Sequence, residues 1–227
     1  STAPNKTVVW TSSDATVAKV NSKGLVTAVG AGYATITAKA KYGSSDAVLA
    51  TYSLTVTNPV TSITIVNPPS MLMINESVAL NVEILPADAR QSVTWKSSNT
   101  RIATVTSAGV VKGKNPGTAK ITVPAKDGSG KKATFTVTVY RAVTKVKLNK
   151  TSGTLAAGKT VQLKAPVYPS NATYKKIIWT SSDPAVATVS STGLVTAVGA
   201  GTAVITATPK YGANDGVLAT YQLTVTP

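Results

Sequence analysis

The sequence predicts an all-β fold that is repeated three times along the chain. Three tryptophans mark the repeat: Trp10, Trp95 and Trp179 lie 85 and 84 residues apart, and similar residues follow each of them. A regular spacing of this length is typical of tandem structural units. Threonine, valine, alanine and serine dominate the composition, and no stretch has the apolar spacing of an amphipathic helix.

The first and third repeats are closely similar over the part that they share. Residues 10–57 align with residues 179–226 without a gap, and 35 of the 48 positions are identical. The second repeat is more diverged but keeps the same order of tryptophan, valine and glycine positions. We therefore expect three small β-domains, at 1–57, 58–140 and 141–227, joined by short linkers into a semi-rigid rod.

The third repeat is complete, and its alternating apolar residues predict seven short strands. The predicted strands are 143–150, 159–168, 175–181, 185–189, 194–198, 202–208 and 217–226. Residues 151–158 are predicted as a turn region because they contain glycine. Short strands with turn signals about every 8–12 residues are typical of an immunoglobulin-like β-sandwich.

The first repeat lacks the beginning of this pattern. Ser1 aligns with Ser170, so the counterparts of residues 141–169 are absent, and with them the first two predicted strands. The remaining sheets would expose apolar faces and unpaired edges. Two explanations stay open: the chain is a piece of a longer array, which we favour, or a neighbouring chain supplies the missing strands.

The repeated motif resembles the bacterial Ig-like group 2 domain (Big2). Its parts are Trp-x-Ser-Ser-(Asp/Asn), (Val/Ile)-Ala-x-Val, Gly-(Leu/Val)-Val and Gly-Thr-Ala-x-Ile-Thr, which recur in this order in all three repeats with small variations. The resemblance covers nearly the whole chain. It implies extracellular β-sandwich modules, as in bacterial surface proteins, intimin- and invasin-type adhesins, polysaccharide-degrading enzymes and phage virion proteins, where they serve as spacers, presenters or binders.

The chain is strongly basic, with 23 lysines and arginines against 8 aspartates and glutamates and a net charge of +15. Such a charge attracts polyanions, including teichoic acids, anionic glycans, lipid headgroups and nucleic acid. The alternative, which we favour, is that lysines keep a β-surface hydrated and its edges unpaired. Nucleic acid is the least favoured partner because the sequence shows no basic helix and no stacking face.

The residue types argue against an enzyme. The sequence has no histidine and no cysteine, which removes the commonest general base and the commonest soft metal ligand. Its few carboxylates form neither the pair of a glycosidase nor the run of a calcium loop. Asp14 and Asp183 share a repeat position where the second repeat has Asn99, so we expect turn caps. We expect no catalytic residue, metal or cofactor.

The clearest difference between the repeats lies in the closing hairpin. The first and third repeats carry four more residues there than the second, in segments 41–46 and 210–215. Each segment combines a lysine, a tyrosine and an aspartate, as a loop that contacts a glycan or a protein would. The candidate contact residues are Lys41, Tyr42, Asp46, Lys210, Tyr211 and Asp215. The alternative, slightly favoured, is a longer hairpin whose tyrosine covers the end of the sandwich.

The three tryptophans are predicted as core residues, because each lies in an apolar strand where an immunoglobulin-like sandwich has its core tryptophan. Sugar stacking is the less favoured alternative for Trp10, Trp95 and Trp179.

Together these features predict a non-catalytic extracellular segment of a bacterial surface protein, acting as a stalk, an adhesion module or a cell-envelope contact module. The alternatives are a polysaccharide-binding appendage of an exported enzyme, or a structural or decorating protein of a phage virion or surface filament. Expected partners are anionic or neutral surface glycans, another surface protein and neighbouring Ig-like domains. Membrane insertion is not expected, because no apolar stretch approaches the roughly 20 residues of a spanning helix.

Overall fold

A computed structural model describes residues 7–42 and 45–227, and within these residues 41, 42 and 45–49 are described by their backbone alone. The described residues form strands, turns and loops. The first repeat contains β1 Val8–Ser12, β2 Ala18–Val20, β3 Val26–Ala28, β4 Gly32–Tyr42 and β5 Ser45–Val56. The second contains β6 Ser62–Val66, β7 Met71–Met73, β8 Ser77–Ala79, β9 Asn81–Leu85, β10 Lys96–Ser97, β11 Ala103–Val105, β12 Val110–Gly113, β13 Gly117–Pro124 and β14 Lys132–Tyr140. The third contains β15 Lys145–Val146, β16 Ser152–Ala156, β17 Thr160–Gln162, β18 Val167–Tyr168, β19 Ile177–Ser181, β20 Ala187–Val189, β21 Leu194–Ala197, β22 Gly201–Pro209 and β23 Ala219–Thr226.

The chain separates into two compact units. One consists of the residues up to 67 together with 81–96 and 122–134, and the other consists of 68–80, 97–121 and 135–227. The three predicted domains, with boundaries after residues 57 and 140, stay a prediction.

The third repeat is a β-sandwich, as the sequence predicts. One sheet has the strand order β16–β23–β22–β19, the second has the order β17–β21–β20, and β15 pairs with β18. Along β22 and β23 every second side chain is buried, because side chains alternate between the two faces of a sheet. The buried residues of these two strands include Ala203, Ile205, Ala207, Tyr221, Leu223 and Val225. The prediction of an all-β, tandem Ig-like architecture is confirmed.

Residues 151–158 contain a strand, so the prediction of a turn there is wrong. β16 pairs in parallel with β23, with Ser152 opposite Gln222, which lies 70 residues further along the chain. A parallel pairing between residues so far apart produces no recognisable pattern in the nearby sequence. The glycine in the segment is therefore interpreted as a turn residue. Gly153 has a steric role, because a Cβ at this position would collide with the hydroxyl group of buried Tyr221. β7 pairs in parallel with β14 in the second repeat.

The first repeat leaves apolar positions uncovered that the third repeat buries. Tyr52 is 66% exposed, whereas its counterpart Tyr221 is 1% exposed. Ala28 is exposed, whereas its counterpart Ala197 is buried. In the third repeat β16 pairs with β23 and β17 pairs with β21, and the described residues of the first repeat contain no counterpart of β16 or β17. The missing strands therefore account for the exposed core of the first repeat.

Supplying these strands should complete the first repeat. In a fusion that places residues 141–169 directly ahead of Ser1, we expect Tyr52 to become buried and the melting temperature of the first repeat to rise by more than about 5 °C. Differential scanning calorimetry measures the change. A fusion in which Val161 and Leu163 are serine is the control. Equal melting temperatures for the two fusions would contradict the expectation.

Two of the tryptophans pack against the core clusters of their own repeats. Trp10 and Trp179 are half-buried, and each contacts a glycine turn with one side of its ring. A Cβ at Gly24 would lie 2.9 Å from Cζ2 of Trp10, and a Cβ at Gly193 would lie 2.8 Å from Cζ2 of Trp179. Trp95 is half-buried as well. The assignment of all three as core residues stays a prediction.

A pair of glycine substitutions tests this assignment. Gly193 and Gly158 both have positive φ, at +84° and +80°, but nothing lies within 4 Å of a Cβ at Gly158. We expect Gly158→Ala to destabilise the repeat by about 1–2 kcal/mol through φ alone. Gly193→Ala should cost about 1–3 kcal/mol more, because its methyl group also displaces the indole. Urea unfolding measures both, and equal costs would mean that the indole is not held against the turn.

Candidate contact site at the joint between the second and third repeats

The two predicted contact segments have different backbone conformations. In the third repeat, residues 210–218 fold into a loop between β22 and β23. In the first repeat, β4 and β5 continue as a hairpin in which Lys41 pairs with Asp46. The side chains of Lys41, Tyr42 and Asp46 lie outside the described part of the structure, so this half of the site stays a prediction.

Tyr211 belongs to a group of three tyrosine rings, which we call the tyrosine cluster. Its ring centroid lies 4.8 Å from that of Tyr174 and 5.7 Å from that of Tyr140. Tilted and edge-to-face pairs of this kind contribute about 0.5–1.5 kcal/mol beyond the area that they bury. Burial, with a smaller effect of the Glu76 charge, raises the pKa of Tyr140. Because Tyr140 ends β14, the cluster connects the loop of the third repeat with the end of the second.

The linker formed by residues 140–144 makes hydrogen bonds with the second repeat and with the third. The carbonyl oxygen of Tyr140 accepts a hydrogen bond from the backbone N–H of Ile74 at 3.0 Å. The N–H of Arg141 donates to Oγ1 of Thr173 at 2.8 Å, and the N–H of Thr173 donates to the carbonyl of Arg141 at 3.0 Å. The linker is thus tied to the second repeat and to the third within two residues.

The loop 210–218 captures the next linker residue. The N–H of Val143 donates to the carbonyl of Tyr211 at 3.0 Å, and the N–H of Ala213 donates to the carbonyl of Val143 at 2.8 Å. Val143 is fully buried. The N–H of Thr144 donates to the carbonyl of Tyr168 at 2.7 Å. The extra hairpin residues of the third repeat therefore fix the point at which that repeat begins.

In the second repeat, the carboxylate of Asp127 accepts a hydrogen bond from the backbone of the first buried residue, Val60. The N–H of Val60, which is 1% exposed, donates to Oδ2 of Asp127 at 2.6 Å in the shorter closing loop. Oδ1 of the same carboxylate accepts from the hydroxyl of Ser129 at 2.7 Å and from its N–H at 3.0 Å. The Ser129 hydroxyl and then the Val60 N–H lower the pKa of Asp127 to about 2.

The three predicted contact residues of the third repeat differ in the contacts that they make. Lys210 is exposed, and its Nζ lies 5.3 Å from the ring centroid of Tyr211. Asp215 is exposed and forms no hydrogen bond within the described residues. Tyr140 and Tyr174 are not among the residues predicted from the sequence, and they lie 71 and 37 residues before Tyr211. No local signal connects residues at such distances, so only the fold reveals the cluster.

A cavity of about 240 Å³ lies beside the linker. Its walls are largely apolar and include Met73, Ile74 and Ala142. Three polar side chains also line it. The Thr144 hydroxyl donates to the carbonyl of Tyr168 at 3.2 Å, whereas the side chains of Arg141 and Asn75 form no hydrogen bond or ion pair with any described residue. The arrangement offers an unpaired guanidinium group and an unpaired carboxamide next to an apolar wall.

The repeated turn carboxylates have structural roles, and their prediction as turn caps is confirmed. Oδ1 of Asp14 accepts from the N–H of Thr16 at 2.8 Å, and Oδ1 of Asp183 accepts from the N–H of Ala185 at 2.9 Å. Asn99 caps the same turn in the second repeat. Hydrogen bonds from Thr16 lower the pKa of Asp14. Among the described residues, no group of three or more carboxylates could hold a metal ion.

The contact between Asp127 and Val60 should make the second repeat sensitive to acid. The folded pKa of about 2 lies below the ordinary value of 3.8, so the contact stabilises the repeat above pH 4 and is lost as the pH falls towards 2. We expect Asp127→Ala to lower the melting temperature at pH 6 and to have a smaller effect at pH 2. Exposed Glu83→Gln is the control. A pH-independent effect of Asp127→Ala would contradict the assigned role.

Comparison with known proteins places the chain among bacterial Ig-like domains. Residues 1–51, 59–137 and 142–225 each match the bacterial Ig-like domain (group 2). An uncharacterised protein of Clostridium acetobutylicum is 34% identical over 172 residues, which are 75% of this chain and 17% of that protein. Ice-binding protein 1 of Shewanella frigidimarina is 31% identical over 213 residues, which are 87% of this chain and 23% of that protein.

An Ig-like virion protein of Serratia phage KSP90 is 36% identical over 153 residues, which are 65% of this chain and 59% of that protein. The chain thus spans less than two thirds of the length of each of these three relatives. The family match covers more than half of the chain and includes all three repeats. The chain therefore belongs to the bacterial Ig-like domain (group 2) family.

Proposed function

We propose that this chain is a non-catalytic, extracellular part of a bacterial surface protein, in which Ig-like repeats form a stalk and contact the cell envelope or another surface. Membership in a family of Ig-like domains and the similarity to an Ig-like virion protein support a module of this type. The main observation in support of a stalk is that the linker 140–144 is hydrogen-bonded both to the second repeat and to the third.

A stalk transmits position only if its joints resist bending. A flexible linker bends because its backbone dihedrals are free, and fixing one residue costs about 1–2 kcal/mol of conformational entropy. In the linker 140–144 the backbone dihedrals are already fixed in the folded chain, because the linker makes backbone hydrogen bonds. The residues that make them are Tyr140, Arg141, Val143 and Thr144. The tyrosine cluster adds side-chain packing across the same joint. The joint is therefore expected to be stiff.

The contact role rests on charge and repetition. The net charge of +15 that keeps the β-surface hydrated also attracts the chain to anionic surfaces. Weak contacts on successive repeats add together, because one bound repeat raises the effective concentration of the next. Surface glycans are the partners that we favour, followed by another surface protein. Within the described residues no helix is long and apolar enough to cross a membrane.

Display on a phage particle or a surface filament is the second candidate. The relative from Serratia phage KSP90 favours it, since this chain covers 59% of that virion protein. Gold-labelled antibodies against the chain, applied to cells and to purified particles of the source, would distinguish the two locations. Label on particles alone would favour the virion candidate, and label on cells alone would favour the cell-surface candidate.

A stiff joint should give a narrow distance distribution between labels on the second and third repeats. Because the sequence has no cysteine, Lys112→Cys and Thr188→Cys provide two unique spin-label positions on exposed strand residues. We expect a single narrow distance peak by electron–electron double resonance. Tyr211→Ala should broaden it, because it removes two ring contacts of the joint.

Tyr168→Ala is the matched control, since Tyr168 lies in the same repeat and is 45% exposed. Its distance distribution should equal that of the unsubstituted chain. A broad distribution in the unsubstituted chain would contradict the stalk, whatever the effect of Tyr211→Ala.

A further inference from the structure

The cavity beside the linker contains a cationic group that the fold does not use. Arg141 contributes its backbone N–H and carbonyl to the joint, but its guanidinium group has no partner among the described residues. The side chain is half-buried, so part of its water shell is already displaced. A half-buried, unpaired guanidinium group is well placed to bind an anion, because the desolvation cost is partly met in the free protein.

The other lining groups narrow the chemistry of that anion. Met73, Ile74 and Pro169 offer apolar surface, and Asn75 offers an unpaired carboxamide that can donate and accept hydrogen bonds. A pyranose ring that carries a carboxylate has matching groups: an apolar C–H face, hydroxyls and an anion with the geometry of the guanidinium fork. The volume of about 240 Å³ lies below the roughly 300–1,000 Å³ of sites for drug-sized ligands and suits one sugar ring.

We propose that this cavity binds one uronate unit of an acidic polysaccharide, with Arg141 on the carboxylate and Asn75 on a hydroxyl. The proposal rests on the contact role proposed above and assigns it a place and a ligand class. Neighbouring units of the polymer would pass over exposed lysines next to the tyrosine cluster. Lys175 follows Tyr174 in the chain, and the N–H of Lys210 donates to the carbonyl of Lys176 at 2.9 Å.

An acidic polysaccharide explains the site better than a nucleic acid does. Base recognition in single strands uses open aromatic faces, and the rings of Tyr140, Tyr174 and Tyr211 pack against one another. Two carboxylates also belong to this region: Glu76, which acts on Tyr140, and Asp215 in the loop. These two negative charges reduce the general attraction of the region for polyanions. Specific recognition of an anion therefore has to come from the side chains that line the cavity. One cavity of this size is also small for a protein interface.

Calorimetric titration of the whole chain with a defined oligosaccharide tests the proposal. The probe is hexagalacturonate, and its fully methyl-esterified form is the uncharged control. We expect the acid to bind at least about tenfold more tightly than the ester, because only the acid forms a charge-assisted hydrogen bond. A sulfated oligosaccharide and an oligothymidylate of equal charge serve as further ligands, and both should bind more weakly.

Two substitutions in the cavity and one control outside it locate the binding. Arg141→Gln should weaken binding of hexagalacturonate about tenfold or more. Arg101→Gln makes the same change in net charge at an exposed arginine without a side-chain partner among the described residues, and should change affinity by less than about twofold. Asn75→Gly should also weaken binding, and it suits the backbone because Asn75 has a φ of 70°.

Several outcomes would overturn the proposal. They are the absence of binding, equal affinity for acid and ester, equal effects of Arg141→Gln and Arg101→Gln, and tighter, Arg141-dependent binding of the sulfated ligand or of oligothymidylate. The label distances across the joint keep this test separate from the stalk, since Arg141→Gln removes no backbone hydrogen bond. Lost binding with an unchanged distance distribution would be the expected result.

Discussion

The closing hairpin of each complete repeat forms hydrogen bonds with the backbone of a buried valine near the start of that repeat. In the third repeat the loop 210–218 forms two backbone hydrogen bonds with buried Val143, and in the second repeat Asp127 binds the N–H of buried Val60. A buried N–H without a partner costs about 1–3 kcal/mol, so each valine needs such an acceptor. The capture fixes where a linker ends and thus how freely two repeats move.

The length of the closing hairpin determines how many contacts it makes with the neighbouring linker. The short loop of the second repeat supplies one side chain, Asp127, and the adjoining linker residue Thr57 carries no ring. The longer loop of the third repeat supplies a backbone bridge and places Tyr211 on Tyr140 and Tyr174. An insertion of four residues, which looks like a free contact loop in the sequence, thereby becomes part of a joint. Lys210 and the cavity beside the linker remain accessible for contact.

The architecture was predictable from the sequence because it depends on short sequence patterns that recur in the repeats. Alternating apolar residues and turn glycines are short-range signals, and each recurs up to three times. Strand β16 was not predictable, because its partner lies 70 residues away and Gly153 imitates a turn. At the site, the repeat comparison singled out Tyr211 but gave no reason to connect it with Tyr140 or Arg141. Those residues meet only through the fold of two successive repeats.

The most direct measurement of the capture is hydrogen exchange at the amides of Val143 and Ala213, followed by nuclear magnetic resonance. Both amides donate within the bridge between the linker and the loop 210–218. If the hairpin holds the linker, their protection should equal that of the paired amides of β22 and β23. Exchange as fast as that of an exposed loop amide would show that the linker is free, and would contradict the account of the joint.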